Sequence, residues 1–300
     1  MFLNDSQPKI SIVIAAWNGA SYLRECLLSL EKQIKSDSEI IVVSNFEEGI
    51  TKIQQRFSYV KIFVLEPETT VPQLFTDGIK KAKNSIIVLT EDFSIFDENW
   101  CQEIEKSHQL PFDVIGGSIE NASLKNRLDW AVYFFDYSKY MSPHKTLISD
   151  TLSELNISYK KDVLVELSDC YEQGFHTNFI NDELKKKGYE LYLAPSAIVY
   201  HKKHYSFPKI INQYFHQARS YAAQRVLKFS FLKRSIFLLG SLILPILLPN
   251  RTIVRVLKKQ NHFVELLMSF PILIVLTSIW AIGEFCGYLM GEGKSREAWR

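Results

Sequence analysis

The stretch "KISIVIAA", residues 9–16, decides the fold class of this chain. It is β-branched and nearly continuous in apolar residues, a pattern typical of a strand that is buried on both faces. Three runs of the same kind follow it: "EIIVVS" (39–44), "VKIFVLE" (60–66) and "SIIVLTED" (85–92). Helical patterns at 21–33 and 72–83 alternate with these runs. The alternation predicts an α/β fold with a doubly wound, mostly parallel sheet.

Polar residues gather where these strands end. The strand ends read "AAWNG" (15–19), "VSN" (43–45), "EPE" (66–68) and "TED" (90–92). In open sheets of this kind, ligands bind in the crevice beyond the carboxyl ends of the strands. The sequence therefore predicts a ligand site at this edge of the sheet.

Bulk composition excludes some classes of protein. The formal net charge of +2 in 300 residues gives no basis for nucleic-acid binding, so no nucleic-acid partner is expected. The four cysteines are too scattered for a metal site or a disulfide framework and fit reduced thiols in the cytosol: Cys26, Cys101, Cys170 and Cys286. The first 19 residues lack a basic region and a sufficient apolar run, so no signal peptide is expected.

The middle of the chain has a looser pattern. A strand with a Gly-Gly break, "VIGGSIEN", precedes an aromatic helix at 128–141. A helix from about Thr177 to Lys187 should end at Gly188, and two strands separated by a proline turn, 190–193 and 197–200, should follow it. The segment 208–228 reads as a basic amphipathic helix.

The C-terminal part changes character. Two long runs contain no Lys or Arg: "SIFLLGSLILPILLP" (235–249) and "LLMSFPILIVLTSIWAIGEFCGYLMG" (266–291). The second run approaches the roughly 20 apolar residues that a spanning helix needs. Lys and Arg flank every segment, so charge does not orient this region in a bilayer. A membrane region is the favoured interpretation, and a buried core hairpin is the alternative.

Several segments, in their order and spacing, resemble one family. They are "ISIVIAAWNGASYLRECLLSLEKQ", "EIIVVSN", "VPQLFTDGIKKAKNSIIVLTED", "NISYKKDVL" and "GYELYLAPSAIVYHK". Over roughly residues 9 to 225 the chain is similar to the inverting, GT-A-type glycosyltransferases of family 2, whose sheet is Rossmann-like. The closing "WAIGEFCGYLMGEGKS" resembles the C-terminal membrane segment of some members.

The resemblance implies a nucleotide-sugar donor, a divalent cation (Mg²⁺ or Mn²⁺) on its diphosphate, and a carboxylate base. The cation offsets charge on the leaving diphosphate, and hard cations prefer oxygen ligands. Glu91 and Asp92 stand at the family's metal motif with Thr90 in place of its first acid, and His201 matches a further ligand position. The expected donor-binding residues are Ala15, Trp17, Asn18, Ser44, Thr90, Glu91 and Asp92. Alternatives remain open: Asp92 as a cap for backbone donors, Trp17 as a core residue and His201 as a loop residue.

Two departures from the family pattern affect catalysis and recognition. Ser44-Asn45 stands where the family has an Asp that contacts the nucleotide base. Thr177-Asn178 stands where the family has its Glu-Asp pair, and neither side chain accepts a proton at neutral pH. Asp182, one helical turn beyond Asn178, or Glu183 is the expected replacement base. The alternative is that both are solvated acids on the helix surface.

Together these expectations give three parts: a transferase domain at 1–205, a basic amphipathic interface helix at 206–234 and a membrane region at 235–300. The expected activity is sugar transfer to a lipid-linked or polysaccharide acceptor by a single inverting displacement. The expected location is the inner membrane, with the catalytic domain on its cytoplasmic side. The alternative is a catalytically degenerate, scaffolding or regulatory subunit that has a protein partner in an envelope-polysaccharide assembly.

Overall fold

The computed structural model describes residues 9–226 and 230–298. The chain divides into two compact units, and we treat each by itself. Residues 1–120 and 142–202 form the sheet unit, and residues 121–141 and 203–300 form the helical unit. The expectation about the N-terminus falls partly on residues 1–8, and the predicted interface helix includes residues 227–229; both segments lie outside the described residues.

The strands of the sheet unit are, in chain order, β1 Ile10–Ala16, β2 Glu39–Ser44, β3 Lys61–Val64, β4 Ile86–Glu91, β5 Ser94–Phe96, β6 Val114–Asn121, β7 Ile148–Ser149, β8 Ile157–Lys160 and β9 Leu191–His201. The helices of both units are α1 Ala20–Leu30, α2 Ile50–Arg56, α3 Val71–Lys81, α4 Trp100–Ser107, α5 Arg127–Tyr137, α6 Lys161–Glu166, α7 Thr177–Lys186, α8 Phe207–Val226, α9 Phe231–Ser241, α10 Leu244–Lys259, α11 Phe263–Met290 and α12 Ser295–Ala298. A short 3₁₀ helix, Ser168–Cys170, follows α6.

The predicted fold class is confirmed, because the chain has a mixed α/β sheet with a parallel half. Within the described residues the sheet order is β3-β2-β1-β4-β8-β6-β9-β5, and β7 pairs with β9. Strands β1 to β4 are parallel where they pair, whereas β8 runs antiparallel to both β4 and β6. The register Leu89↔Ile157 places the residues that precede β8 at the edge where β4 ends. This edge carries the polar strand ends.

The apolar runs of β1 and β4 form strands because the sheet buries them completely, whereas β3, predicted as a buried strand, is an edge strand whose residues are exposed or of intermediate exposure. All seven residues of β1 and all six of β4 are buried. Helix α3 begins with a capping box, in which Thr70 N–H donates to the Gln73 side chain at 2.9 Å. Helix α7 ends before Gly188, whose φ of +88° lies in the left-handed region that glycine favours.

The predicted proline turn near residue 195 is wrong. Strand β9 continues from Leu191 through Pro195 to His201. Pro195 lies between the residues that pair with β7 and those that pair with β5, so its missing N–H breaks neither pairing. Its carbonyl accepts a hydrogen bond of 2.7 Å from Ser118 Oγ.

The helical unit is built around α11. Gly283 and Gly287 lie against backbone carbonyls of α8, and a Cβ at either glycine would lie 2.4 Å from the carbonyl oxygen of Phe215 or Arg219. The aromatic helix α5 also packs on α11, with the rings of Phe135 and Trp280 5.5 Å apart. One face of the predicted interface helix α8 is therefore covered by α11.

Among the described residues, α11 is long and apolar enough to cross a membrane by itself. Helices α9 and α10 meet the same criterion together, with a bend of 69° between them. A C-terminal apolar helix is thus present as a candidate membrane span, as the sequence predicted.

Candidate functional site

Asp92, the residue directly after β4, fastens the end of β4 to the end of β1. Its Oδ2 accepts hydrogen bonds from the backbone N–H groups of Trp17 at 2.9 Å and Asn18 at 2.7 Å. Its Oδ1 accepts a third, of 2.7 Å, from Asn18 Nδ2. Asp92 N–H in turn donates to Ala15 O at 3.1 Å, and the side chain is fully buried. Both carboxylate oxygens therefore accept protein donors, as a buried carboxylate requires.

Glu91 holds the indole of Trp17. Trp17 Nε1 donates to Glu91 Oε2 at 2.7 Å. Glu91 is buried, whereas Trp17 keeps an intermediate exposure. The hydrogen bond fixes one edge of the indole at the sheet edge, and the residue as a whole is partly exposed.

Thr90 replaces an acid without leaving an unsatisfied polar group. Its hydroxyl donates to Leu155 O at 2.8 Å and is hydrogen-bonded to Ser94 Oγ at 2.8 Å. Thr90 and Ser94 are both fully buried. Thr90 therefore ties β4 to the segment that precedes β8.

Ser44 and Asn45 shape the turn after β2. Ser44 Oγ donates to Phe46 O at 2.9 Å and accepts from Phe46 N–H at 3.1 Å. Asn45 Nδ2 donates to Thr69 O at 3.0 Å. The Ser44 hydroxyl thus forms a local turn at the position where the resemblance predicts contact with a nucleotide base.

His201 is buried at the end of β9, not exposed in a loop. It pairs with Ser94 of β5, and its ring centroid lies 5.1 Å from that of Phe93 in an edge-on arrangement. The structure thereby brings His201 to the segment that follows Asp92. The neighbouring Lys202 forms an ion pair of 2.9 Å with Glu25.

The predicted cation ligands are Glu91, Asp92 and His201, and their donor set does not fit a divalent cation as arranged. Oxygen atoms of both carboxylates accept hydrogen bonds from Trp17 and Asn18, so a cation would compete with those N–H groups. In the part of the chain that the structure describes, no group of three His, Cys, Asp or Glu side chains is placed to hold a metal ion. We therefore derive no chemical step through a metal.

Asp182 and Glu183, the predicted replacement bases, lie on the outer side of α7. Asp182 Oδ1 is 3.0 Å from Lys185 Nζ, and its side chain is 59% exposed. Glu183 pairs with Lys186 at 2.5 Å. The buried face of α7 carries Thr177, Ile180, Asn181 and Leu184 instead. This placement favours the alternative of surface acids, and the base role of Asp182 or Glu183 remains a prediction.

Glu154 is an acid at this edge that the sequence analysis missed. It lies in the segment before β8, and the neighbouring Thr177 hydroxyl acts to lower the pKa of its carboxyl group. Burial of the carboxyl group raises the pKa of Glu154, and hydrogen bonds from its own N–H and from Thr177 offset part of that increase. The sequence signal was the single acid in "LSELNISYKK", directly before a segment that resembles the family.

A sequence comparison identifies the family that this arrangement fits. The profile described as "Glycosyl transferase family 2" matches residues 11–167, more than half of the chain. The match spans β1 to α6 and so includes the strand-end residues and Glu154. Among curated protein sequences, none matches the chain.

Solved structures share the fold at low sequence identity. The mannosyltransferase PcManGT from Pyrobaculum calidifontis, in complex with GDP-Man and Mn²⁺, aligns with a TM-score of 0.58 and 11% identity over 95% of this chain and 88% of its own. GalNAc-T7 with UDP, GalNAc and Mn²⁺ aligns with a TM-score of 0.53 and 17% identity over 68% of this chain and 44% of its own. TarS 1–349 from S. aureus, in complex with UDP-GlcNAc, aligns with a TM-score of 0.51 and 16% identity over 71% of this chain and 65% of its own.

Proposed function

Because the chain belongs to glycosyl transferase family 2, we propose that it transfers a sugar from a nucleotide-sugar donor to a lipid-linked or polysaccharide acceptor, with inversion at the anomeric carbon. The observation that supports this most is the set of hydrogen bonds that fixes Trp17 and Asn18 on Glu91 and Asp92. These contacts preform a polar edge at the carboxyl ends of parallel strands, where sheets of this kind bind ligands.

The proposed donor is a nucleoside diphosphate sugar. The structural neighbours are complexes with GDP-Man, with UDP and GalNAc, or with UDP-GlcNAc. In this chain, the Trp17 indole offers an aromatic surface to a base, and Asn18 and Asn45 offer amide groups at the same edge. Ser44 shapes the turn between them.

A divalent cation remains a prediction for this chain. Two of the neighbours were solved with Mn²⁺, which supports testing Mn²⁺ and Mg²⁺. When bound, such an ion would offset the charge of the leaving diphosphate. The roles assigned to Glu91 and Asp92 in this chain require no cation. Their carboxylates accept hydrogen bonds that hold Trp17 and Asn18 in place.

Membrane attachment through the helical unit, at the cytoplasmic face of the inner membrane, is part of the proposal. Helices α9 and α10 and the two residues between them expose many large apolar side chains, among them Phe231, Leu232, Ile236, Leu239, Leu242, Ile243, Ile246 and Leu247. Contiguous apolar surface of this kind marks an interaction with a membrane or a protein. The 28-residue length of α11 favours a membrane, because it exceeds the roughly 20 residues that a span requires.

A second candidate is a family member without catalysis that serves as a scaffold or regulatory subunit for a protein partner. The observation that favours it is that Asp92 bonds to backbone N–H groups while Asp182 lies on the outer surface of α7. On this hypothesis the strand-end edge stabilises the fold and binds no donor productively.

Donor binding separates the two candidates. The full chain in detergent is heated with GDP-Man, UDP-GlcNAc, UDP-GalNAc and other nucleotide sugars, each with Mn²⁺, with Mg²⁺ or with EDTA. A ligand at a hundred times its Kd stabilises by about 2.7 kcal/mol, which is visible as a higher Tm. We expect one donor to raise Tm and Trp17→Ala to reduce that shift. Absence of a shift with every donor, for a chain that melts cooperatively, would support the scaffold instead.

A further inference from the structure

We infer that Glu154 is the general base of the proposed transfer reaction. The inference rests on the proposed function, and it assigns to a loop residue the role that the helical residues Thr177 and Asn178 are unable to perform. It follows from where the chain places Glu154, from what holds it there and from the chemistry of its surroundings.

Strand pairing places Glu154 at the donor edge. Strand β8 runs antiparallel to β4, and Leu89 of β4 pairs with Ile157, the first residue of β8. The chain therefore enters β8 from the edge at which β4 ends, and Glu154 lies three residues before that entry. Thr90, next to Glu91, donates to the carbonyl of Leu155 at 2.8 Å. Glu154 is thus one residue away from a direct contact with the end of β4.

The backbone around Glu154 is fixed from both sides. Asn181 Nδ2 of α7 donates to Leu152 O at 2.8 Å, and Asn156 N–H donates to Ser153 O at 3.0 Å. The Asn156 side chain donates to Ser118 O at 2.9 Å and to Ala197 O at 2.8 Å. A catalytic carboxylate needs such support, because a misplaced group loses much of its effect.

We assign Thr177 as a positioning residue for the Glu154 carboxylate. It opens α7 on the buried face of that helix, and its hydroxyl acts to lower the pKa of Glu154. The resemblance places the first acid of the family's pair at Thr177. In this chain the same position supplies a neutral donor that orients an acid from another segment.

The surroundings suit a carboxylate that takes up a proton. Glu154 keeps an intermediate exposure as a residue, although protein atoms crowd its carboxyl group, and burial raises the pKa of that group. When the pKa of a carboxyl group is raised toward neutral pH, its carboxylate form becomes a stronger base. The nearby Tyr159 is fully buried, and among residues 9–226 and 230–298 its hydroxyl has no hydrogen-bond partner. Burial is the main cause that raises the pKa of Tyr159, and the negative charge of Glu154 raises it further.

The proposed transfer is a single displacement at the anomeric carbon. The acceptor hydroxyl oxygen forms a bond to the anomeric carbon of the donor while the Glu154 carboxylate takes the hydroxyl proton. The bond between the anomeric carbon and the diphosphate oxygen breaks, and its electron pair leaves with the nucleoside diphosphate. Glu154 then releases the proton to water. One attack from the opposite side of the leaving group inverts the anomeric centre.

Glu154→Gln tests the assignment in the full chain, with the donor identified by the nucleotide-sugar panel. Gln has nearly the same shape as Glu, so the variant should fold at least as stably as the parent and bind the donor with the parent's Kd. We expect kcat to fall about 10²–10⁴-fold, the usual contribution of a positioned base, and KM for the donor to change little. Glu154→Asp, which keeps the carboxylate, should recover part of kcat. Glu172→Gln, at an exposed acid of the same unit, is the matched control and should turn over like the parent.

Thr177→Val tests whether Glu154 acts as a base. A purely structural role of Glu154 predicts no change in the pH profile of kcat, whereas a base role predicts a shift. The hydrogen bond from Thr177 lowers the pKa of Glu154, so its loss should shift the acidic limb of the pH profile of kcat to higher pH. Glu154 raises the pKa of Tyr159 in β8, and Thr177 in α7 carries no charge. Tyr159→Phe should leave that limb in place.

The outcomes are distinguishable. If the parent transfers sugar and Glu154→Gln retains kcat within about threefold of the parent, only the assignment of Glu154 is overturned. The same holds if Asp182→Asn, and not Glu154→Gln, abolishes turnover. If the parent neither binds nor transfers any nucleotide sugar, the proposed function fails and the base assignment fails with it.

Discussion

The two units of this chain use apolar residues in opposite ways. In the sheet unit the apolar runs of the inner strands are enclosed, and all seven residues of β1 and all six of β4 are buried. In the helical unit Phe231 is 86% exposed, Leu232 71% and Ile246 67%. Apolar surface that faces water is unfavourable by about 25 cal/mol per Å². The sheet unit therefore completes its own core, whereas the helical unit has an apolar surface that fits a lipid phase.

The two units also differ in which partners satisfy their polar groups. In the sheet unit, buried polar side chains at one edge are bonded to each other and to the backbone: Ser44, Thr90, Asp92 and Ser94. In the helical unit, arginines satisfy carbonyl groups at the C-terminal end of α11. Arg219 Nε donates to Gly291 O at 2.9 Å and Arg234 Nε to Tyr288 O at 2.6 Å. The first arrangement suits a site for a polar ligand, and the second suits a helix whose polar groups lie at its end.

The largest effect should come from making the exposed surface of the helical unit polar. A triple variant, Leu239→Lys, Leu242→Lys and Ile246→Lys, should lower the fraction of the full chain that membranes retain, because each Lys in the bilayer interior costs about 2.5–3.5 kcal/mol. Carbonate extraction of membranes measures the fraction retained. Leu110→Lys and Leu147→Lys, at exposed leucines of the sheet unit, should have no effect on retention. Release of the unaltered chain by carbonate would contradict the proposed membrane attachment.

Asp92→Ala should destabilise the sheet unit by about 3–5 kcal/mol, since it leaves three N–H donors without their charged acceptor. Denaturant unfolding of the full chain, followed by tryptophan fluorescence, measures this change. Glu91→Gln keeps an amide oxygen for the Trp17 indole and should destabilise by about 1 kcal/mol. Equal effects of the two variants would show that Asp92 is not the main tie between β1 and β4.

Two glycines test the difference in packing. A Cβ at Gly117 of β6 would lie 2.0 Å from Ala197 O and 2.2 Å from Asn156 Nδ2, so Gly117→Ala should destabilise by about 3 kcal/mol. Gly240 of α9 has no atom within 4 Å of such a Cβ, and Gly240→Ala should stabilise its helix by about 1 kcal/mol. Thermal melts of both variants give the comparison. A destabilising Gly240→Ala would mean that α9 is packed and not exposed.

The smallest effect concerns pH. The pKa of Glu154 in the folded chain lies above its ordinary value of 4.5 because of burial, so the folded chain binds this proton more tightly than the unfolded chain. Stability therefore falls as pH rises above about 4.5, and Glu154→Gln should have a higher Tm than the parent at pH 7. The difference in Tm between Glu154→Gln and the parent should vanish at pH values below the ordinary pKa of 4.5. Calorimetry between pH 4 and pH 8 measures it.

Glu166→Gln is the control with the opposite sign. Hydrogen bonds from Lys187 and Tyr189 lower the pKa of Glu166, so its contribution to stability is present above the ordinary pKa and is lost as pH falls. Glu166 is exposed, and its effect should be small. A lower Tm for Glu154→Gln than for the parent at pH 7 would contradict the pKa argument for Glu154.

The sequence predicted most of the sheet because its signal is local. Continuous apolar runs at β1, β2, β3 and β4 are visible in the chain itself, and so are the glycine end of α7 and the length of α11. Pro195 was misassigned to a turn because a proline within a strand is tolerated only where the pairing allows it, and pairing depends on distant residues. The short strands β5 and β7 carried too few residues for a periodic signal.

Topology predicted that the polar strand ends would share one edge of the sheet, and the structure places them there, but the contacts among them were not predictable in the same way. Family resemblance directed attention to Asp92 and Asp182, whose roles depend on partners. Only the fold shows that Asp92 accepts from Trp17 and Asn18 and that Asp182 pairs with Lys185. Glu154 was overlooked because its link to Thr177 joins segments that are distant in sequence.

The measurement that tests the central claim most directly is sugar transfer by the full chain in lipid vesicles that contain its host membrane lipids. Labelled nucleotide sugars are supplied one at a time, and the label is followed into lipid-extractable and polymer fractions alongside release of nucleoside diphosphate. The account predicts that one donor labels an acceptor and that Glu154→Gln abolishes the labelling while still binding that donor. Binding of a donor without any transfer, or no binding at all from a cooperatively folded chain, would contradict it.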